Sequence, residues 1–224
     1  MIPVAILAGG LATRLHPLTE ETPKALIEIY GRPFIEWQLK LLSREGIKKV
    51  VLCVAHKSEM IQDFVDDGRK YGVEIDYSFD GEVRLGTGGA IRKALPLLGD
   101  TFMVLYGDSY LPINYGVFKE DFCSNGKPAM MTVFKNNGAY DESNVIFDGN
   151  RVLKYAKEIG NTEMTYIDYG LSIFKSSLFE KYPIGSTLDL GDVYSNLSNS
   201  GLLAGHEVYE RFYEIGSMRR PIRQ

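Results

Sequence analysis

Cysteine, tryptophan and histidine are scarce: the 224-residue chain has two, one and three of them. Cys53 and Cys123 stand in unrelated segments without ligand-like spacing. That argues against a disulfide framework or a cysteine metal knuckle, and the expectation is free thiols in a cytoplasmic protein. His16, His56 and His206 are scattered, with no partner at ligand spacing, so surface or loop roles are expected of them rather than catalysis. Positive charge is not in excess: 25 Lys and Arg against 29 Asp and Glu give a net charge of −4. A broad nucleic-acid surface or an anionic-membrane surface is therefore not expected. No apolar run approaches membrane-spanning length, and the N-terminus shows neither a basic leader nor a cleavage site. Repeats, low-complexity tracts and linkers are absent. So are the Gly-Lys-Ser/Thr of a P-loop after a strand and the G-x-G-x-x-G of a dinucleotide site at the first turn.

What is present is a globular composition, 45% apolar and 24% charged, in a chain long enough to bury a sizeable core. The most informative stretch is LAGGLATRLHPLTEETPK, Leu7 to Lys24. The apolar run Met1 to Leu7 reads as a buried strand, and Gly9-Gly10 as a turn whose backbone can approach a ligand closely. Bare N–H groups in such a turn cradle anions. Arg14 adds a planar fork of donors and Lys24 a point charge, together suited to a polyphosphate.

Hydrophobic periodicity continues the strand–helix alternation. Pro33 opens a helix from Phe34 to Arg44, closed by Gly46. Lys49 to Ala55 is a continuous apolar run, as in a central parallel strand. A helix capped by Ser58 through Asp66, a strand from Val73 to Phe79, and a glycine turn opening a helix within Leu85 to Leu98 follow. Thr101 to Tyr106 is a strand ending at Gly107-Asp108. Tyr115, Phe118 and Phe122 share a helical face, and Ala129 to Phe134 is another strand. This order means an α/β fold with a mostly parallel sheet. The second half reads as an insertion: a hairpin about Asp148-Gly149-Asn150, a strand from Tyr166 to Phe174, a helix from Leu188 to Leu197, and short strands Ala204 to Tyr209 and Phe212 to Ile215. Lying over the sheet, it would leave a cleft at the carboxyl ends of the strands, where open α/β sheets bind ligands.

Several residues carry chemistry. Asp108, ending an apolar strand, is either a cap for the next turn or a magnesium ligand; beside a polyphosphate cradle the ligand reading prevails. Gly86, Thr87 and Gly88 either let a helix pack close to the sheet or hold a nucleobase through the main chain. Asp80 and Glu82, just before them, could accept the paired N–H donors of guanine. Asp189 and Asp192 suit the start of a helix, and Trp37 is expected to pack in the core.

The motif G-G-x-x-T-R-L-x-P-L-T with Pro23-Lys24, together with Gly107-Asp108, resembles the sugar-1-phosphate nucleotidyltransferases, most of all the short bacterial enzymes that activate mannose- or heptose-1-phosphate with GTP. The resemblance runs from Val4 to about Ser217 and is looser after Asn144. It implies a Rossmann-like, mostly parallel sheet with helices on both faces and a small antiparallel sugar-binding insertion. The division is about 1–135 for the nucleotide and about 136–217 for the sugar, in a single domain. With no hexapeptide repeat through Gln224, a C-terminal β-helix is not expected. The implied substrates are an NTP and a sugar 1-phosphate, the implied cofactor is Mg²⁺, and the oligomeric state is open, a dimer included. Leu7, Ala8, Gly9, Gly10, Thr13 and Arg14 would bind the nucleotide with Gly86, Thr87 and Gly88. Arg14, Lys24 and Asp108 would be catalytic, and Asp108 and Glu214 would hold the metal. Glu214 stands where the family has Asp in Asp-x-Gly. Asn144, Lys157, Glu158, Asp168 and Gly170 would meet the sugar phosphate. Asp168 stands where the family usually has Asn, and Ala156 where it has the acidic neighbour of Lys157. Uridylyl, thymidylyl and cytidylyl transfer, or a non-catalytic nucleotide-sugar-binding subunit, are the alternatives, with a glycosyltransferase as a rival of another class.

Overall fold

The computed structural model describes residues 2–10, 22–55, 57–81, 83–136, 142–156 and 163–215. In chain order its elements are β1 (Val4–Leu7), a 3₁₀ turn (Lys24–Leu26), β2 (Glu28–Ile29), β3 (Arg32–Pro33), α1 (Phe34–Arg44), β4 (Lys49–Val54), α2 (Ser58–Val65), a second 3₁₀ turn (Arg69–Tyr71), β5 (Glu74–Phe79), α3 (Gly86–Leu98), β6 (Thr101–Tyr106), β7 (Ser109–Tyr110), α4 (Tyr115–Asn125), β8 (Ala129–Lys135), β9 (Val145–Phe147), β10 (Val152–Tyr155), β11 (Tyr166–Lys175), α5 (Ser177–Glu180), α6 (Leu190–Asn199), β12 (Leu203–Val208) and β13 (Tyr213–Glu214).

β1 is the middle of a parallel core, pairing with β4 on one side and β6 on the other, with β5 beyond β4. Strand alternation sends Val4 and Ile6 to one face and Ala5 to the other. The first face packs on α1 and α4 through Ile35, Leu39, Tyr115 and Phe118, the second on α3 and α6 through Ile91, Ala94, Val193 and Tyr194. Each strand is therefore covered on both sides, which is why β4 reads as an unbroken apolar run. Val4, Ile6, Val50 and Leu52 are fully buried. Each such side chain contributes about 1.5–3 kcal/mol relative to exposure.

Beyond β6 the sheet turns antiparallel. β11 pairs antiparallel with β6 over Leu171–Lys175 and with β8 along its other edge, and β12 adds to β8 in parallel. The β9–β10 hairpin joins β11 at Tyr166. β8 holds one edge of β11, so β6 and the hairpin share the other. They separate at Gly170, where the register shifts and φ is +106°. The expectation of an insertion lying over the sheet is corrected here: the antiparallel strands extend the main sheet itself, and the fork at Gly170 opens the space beside the β6 carboxyl end.

Local readings hold with small changes. Pro33 precedes α1, and Asn114 and Asp189 cap α4 and α6 through their side chains. Ser58 is the first residue of α2 and makes no side-chain cap, the preceding Lys57 being left-handed. Trp37 is only partly buried, its indole N–H donating to Ile29 O under the Arg32 guanidinium. Cys53 is buried and Cys123 exposed, both free. His206 lies in a strand, 2.7 Å from Asp121. No helix among the described residues is long and apolar enough to cross a membrane.

Candidate active site

β6 ends in a turn that carries Asp108. Gly107 has to be glycine for lack of room: a Cβ there would lie 2.6 Å from Leu7 O and 3.0 Å from Ala8 Cα, while its N–H donates to Leu7 O. The turn is thereby pressed against the exit of β1. After it, β7 pairs with β13, Ser109 opposite Glu214, and Ile215 N–H donates to Asp108 O. Glu214 therefore stands opposite the residue that follows Asp108. Lys24, in the 3₁₀ turn, places Nζ 2.7 Å from Asp108 Oδ2, and Ser109 Oγ lies 3.4 Å from Oδ1.

A cleft of about 470 Å³ opens between this turn, the exit of β1 and the start of α3. Leu7 to Gly10 form one wall, with Cys53 and Ala55 behind them. Ala8 N–H is spent on Cys53 O, but among the described residues the amides of Gly9 and Gly10 have no acceptor. Among the described residues a Cβ on Gly10 would meet nothing within 4 Å. Asp80, at the exit of β5, also lines the cleft. Its Oδ1 is buried without a hydrogen-bond partner among the described residues. Burial raises its pKa, against a smaller opposing pull from Lys93. The Cys53 thiol is pushed up to about 12, first by burial and then by Asp80, so it stays protonated and unreactive.

Gly86 and Thr87 line the opposite wall, at the first turn of α3. The glycine run serves close packing to a large degree. The N–H groups of Gly88 and Gly89 both donate to Leu188 O, and Leu190 N–H donates to Thr87 Oγ1. A Cβ on Gly88 would stand 2.7 Å from Leu188 Cγ, and on Gly86, at φ +72°, 2.6 Å from Leu188 O. The segment before α6 is thus stapled to the N-terminus of α3.

On the other side of Tyr106, Asn144 Oδ1 accepts from Asp168 N–H, and Asp168 Oδ1 accepts from Gly170 N–H. Asn144, Asp168 and Gly170 form one linked set at the fork. A Cβ on Gly170 would lie 3.6 Å from both Ser109 Oγ and Tyr106 Cδ2, which ties the set to the Asp108 turn. Desolvation pushes the Asp168 carboxyl up to about 7, the Gly170 N–H opposing it. Tyr106, Tyr155 and Tyr194 lie around it, their phenols raised chiefly by burial and secondarily by such neighbours as Asp168.

Thr13, Arg14, Glu82, Lys157 and Glu158 lie outside the described residues. Of the other assigned residues, Leu7, Ala8, Gly9, Gly10, Lys24, Gly86, Thr87 and Asp108 meet at the cleft, with Gly88 behind it. Glu214, Asn144, Asp168 and Gly170 flank the Asp108 turn. Sequence reasoning did not single out Arg84 and Tyr106, which line the cleft, or Leu188, which braces α3. It also passed over Gln38, whose Nε2 donates to Tyr106 O and Ser109 O. Arg84 precedes the glycine run, a position that flags it; the others depend on contacts between distant segments.

Among the described residues no cluster of three or more His, Cys, Asp and Glu side chains surrounds a metal position. Asp108, in the turn after β6, lines the cleft and already holds a cation in Lys24, while Glu214 is exposed on β13 opposite Ser109. That donor set fits magnesium, which takes one or two carboxylates and fills its remaining positions with waters and substrate phosphates.

The strand-end cleft sets a glycine turn beside a Lys–Asp pair, and the chain belongs to the nucleotidyl transferase family, whose model matches residues 4–183. It is 32% identical over 183 residues to the D-glycero-α-D-manno-heptose 1-phosphate guanylyltransferase of Aneurinibacillus thermoaerophilus, covering 78% of this chain and 75% of the relative. It is 30% identical over 216 residues to the UTP–glucose-1-phosphate uridylyltransferase of Synechocystis sp., covering 88% and 55%. Among solved structures, HddC from Yersinia pseudotuberculosis, crystallised with GMP-PN, superposes with a TM-score of 0.80 at 25% identity, covering 96% of this chain and 94% of that one. The chain spans about half the length of several curated relatives it matches: 55%, 48% and 51%.

Proposed function

We propose that the chain transfers a nucleotidyl group from an NTP to a sugar 1-phosphate, giving an NDP-sugar and pyrophosphate. The observation that carries this reading is the Lys24–Asp108 pair set beside the Gly9-Gly10 turn, whose amides have no acceptor among the described residues. A phosphate oxygen of the sugar phosphate attacks the α-phosphorus in line, the bond to the β-phosphate oxygen breaks, and pyrophosphate leaves with that electron pair. No covalent enzyme intermediate is needed, so the side chains position and neutralise charge. Gly9, Gly10 and Arg14 hold the triphosphate. Lys24 exchanges its contact with Asp108 for the α-phosphate and the incoming phosphate. Asp108 and Glu214 would hold Mg²⁺, which when bound would offset charge on the phosphate oxygens. Asn144, Asp168 and Gly170, with Lys157 and Glu158, orient the sugar phosphate.

The base is guanine on this reading. Guanine presents N1–H and an exocyclic amine side by side, and the Asp80 carboxylate in the cleft, half-desolvated and with its Oδ1 lacking a partner among the described residues, suits such a pair of donors. Uracil offers a single N–H there, so UTP, the nucleotide named for the Synechocystis relative, gains less from Asp80. The sugar is of the mannose or heptose type, in keeping with the guanylyltransferase relatives. The test is one matrix of each NTP against a panel of sugar 1-phosphates, reading pyrophosphate. GTP with a manno-configured sugar phosphate should give the highest turnover; preference for a pyrimidine triphosphate would overturn the guanine assignment.

A further inference from the structure

α1 is the beam on which both halves of the Lys24–Asp108 pair rest. Its first residue, Phe34, donates its N–H to Ile27 O, fixing the chain that follows the Lys24 turn at 2.9 Å. One turn later Gln38 reaches the other half. It is 1% exposed, and its Nε2 donates to Tyr106 O at 3.0 Å and Ser109 O at 2.8 Å. Those carbonyls flank Gly107-Asp108 on both sides. The turn is also held by main-chain bonds, Gly107 N–H to Leu7 O and Ile215 N–H to Asp108 O, while Lys24 Nζ and Ser109 Oγ meet the Asp108 carboxylate itself. A buried polar side chain on an apolar helix face is costly unless it is bonded. Gln38 spends both amide hydrogens on this one turn, while its Oε1 is buried without a partner among the described residues.

We infer that Gln38 is a positioning residue for the proposed reaction: it holds the Asp108 carboxylate at its working distance from Lys24 by clamping the carbonyls on either side of the turn. The role rests on the assignment of Asp108 to the metal and phosphates, but Gln38 itself touches neither. A buried glutamine kept only for packing would be replaceable by an apolar side chain of similar length. A glutamine that positions Asp108 would not be, because displacement of a reacting group by about 1 Å can cost on the order of a hundredfold in rate.

The experiment compares the wild-type chain with Gln38→Met in steady-state turnover, in magnesium titration and in amide hydrogen exchange without substrates. Gln38→Met should remain folded at the assay temperature. Its kcat should fall about tenfold to a hundredfold with nucleotide KM within about threefold, and half-saturation by magnesium should move to higher concentration. Exchange at the Gly107–Tyr110 amides should quicken while β1 and β4 keep their protection. Should Gln38→Met fail to fold, Gln38→Asn takes its place, retaining the amide one methylene short of both carbonyls. Unchanged kcat, magnesium response and turn exchange would overturn the inference. Absence of turnover by the wild-type chain with every substrate pair would overturn the proposed function instead, and the exchange comparison would still report on the clamp.

Discussion

Lys24 Nζ lies 2.7 Å from Asp108 Oδ2, joining two turns whose residues are 84 apart in sequence. The side chains are 20% and 38% exposed, so this is a partly solvated pair with little to contribute to stability. Its value is positional: it places a cation and a carboxylate together at the cleft. Lys24→Ala should therefore lose about a hundredfold or more in kcat while its melting temperature moves by only a few degrees. Turnover at saturating substrates alongside thermal unfolding checks this; a variant with normal turnover would remove Lys24 from the chemistry.

Glu214 sits on β13 opposite Ser109, the residue that follows Asp108. If both hold one magnesium ion, Asp108→Asn and Glu214→Gln damage the same site. The double variant should then be little worse than the worse single variant, rather than the product of both losses. Magnesium-dependence curves for the four proteins of this cycle give the coupling. Losses that simply multiply would assign Glu214 to the surface instead.

Much of the parallel half was legible because its signals are local. Pro33 and Gly46 bracket α1, and the apolar runs of β4 and β6 are what double-sided burial requires. Gly107-Asp108 could be placed at the site because it ends such a run. The fork at Gly170 was not legible: it depends on which strands share the edge of β11, and a single glycine carries no record of that. The amide of Gly88 looked available for a ligand, yet the Leu188 carbonyl, far along the chain, takes it together with that of Gly89. Gln38 was hidden for the same reason, since its two acceptors lie 68 and 71 residues away.

Asp80 supplies the base test. Asp80→Asn replaces one of two carboxylate acceptors by a donor, which opposes the paired donors of guanine. kcat/KM for GTP should fall about tenfold to a hundredfold while that for UTP changes little. Inosine triphosphate, which lacks the exocyclic amine, should be a poorer substrate than GTP for the wild-type chain, with the gap narrowing in the variant. Equal losses for purine and pyrimidine triphosphates would place Asp80 outside base selection.

Asp168 gives a stability signature. Its carboxyl rises from 3.8 to about 7, chiefly through desolvation. Between about pH 4 and 7 the folded chain keeps this proton and the unfolded chain has lost it, so stability falls as pH rises through that window. Asp168→Asn, which retains an acceptor for Gly170 N–H, removes the penalty. The variant should gain in melting temperature relative to wild type as pH climbs from 4 to about 7, with the smallest difference at the acid end. A difference that is flat across this range would mean the carboxyl titrates normally.

The direct test of the account follows the label of the triphosphate. Wild-type chain is incubated with magnesium, a manno-configured sugar 1-phosphate and GTP labelled at either the α- or the γ-phosphorus, and the products are separated. The account predicts α-label in the nucleotide sugar and γ-label in pyrophosphate, in equal amounts, with both lost in Lys24→Ala. Transfer of γ-label to the sugar, or release of α-label as free nucleotide without a nucleotide sugar, would contradict it.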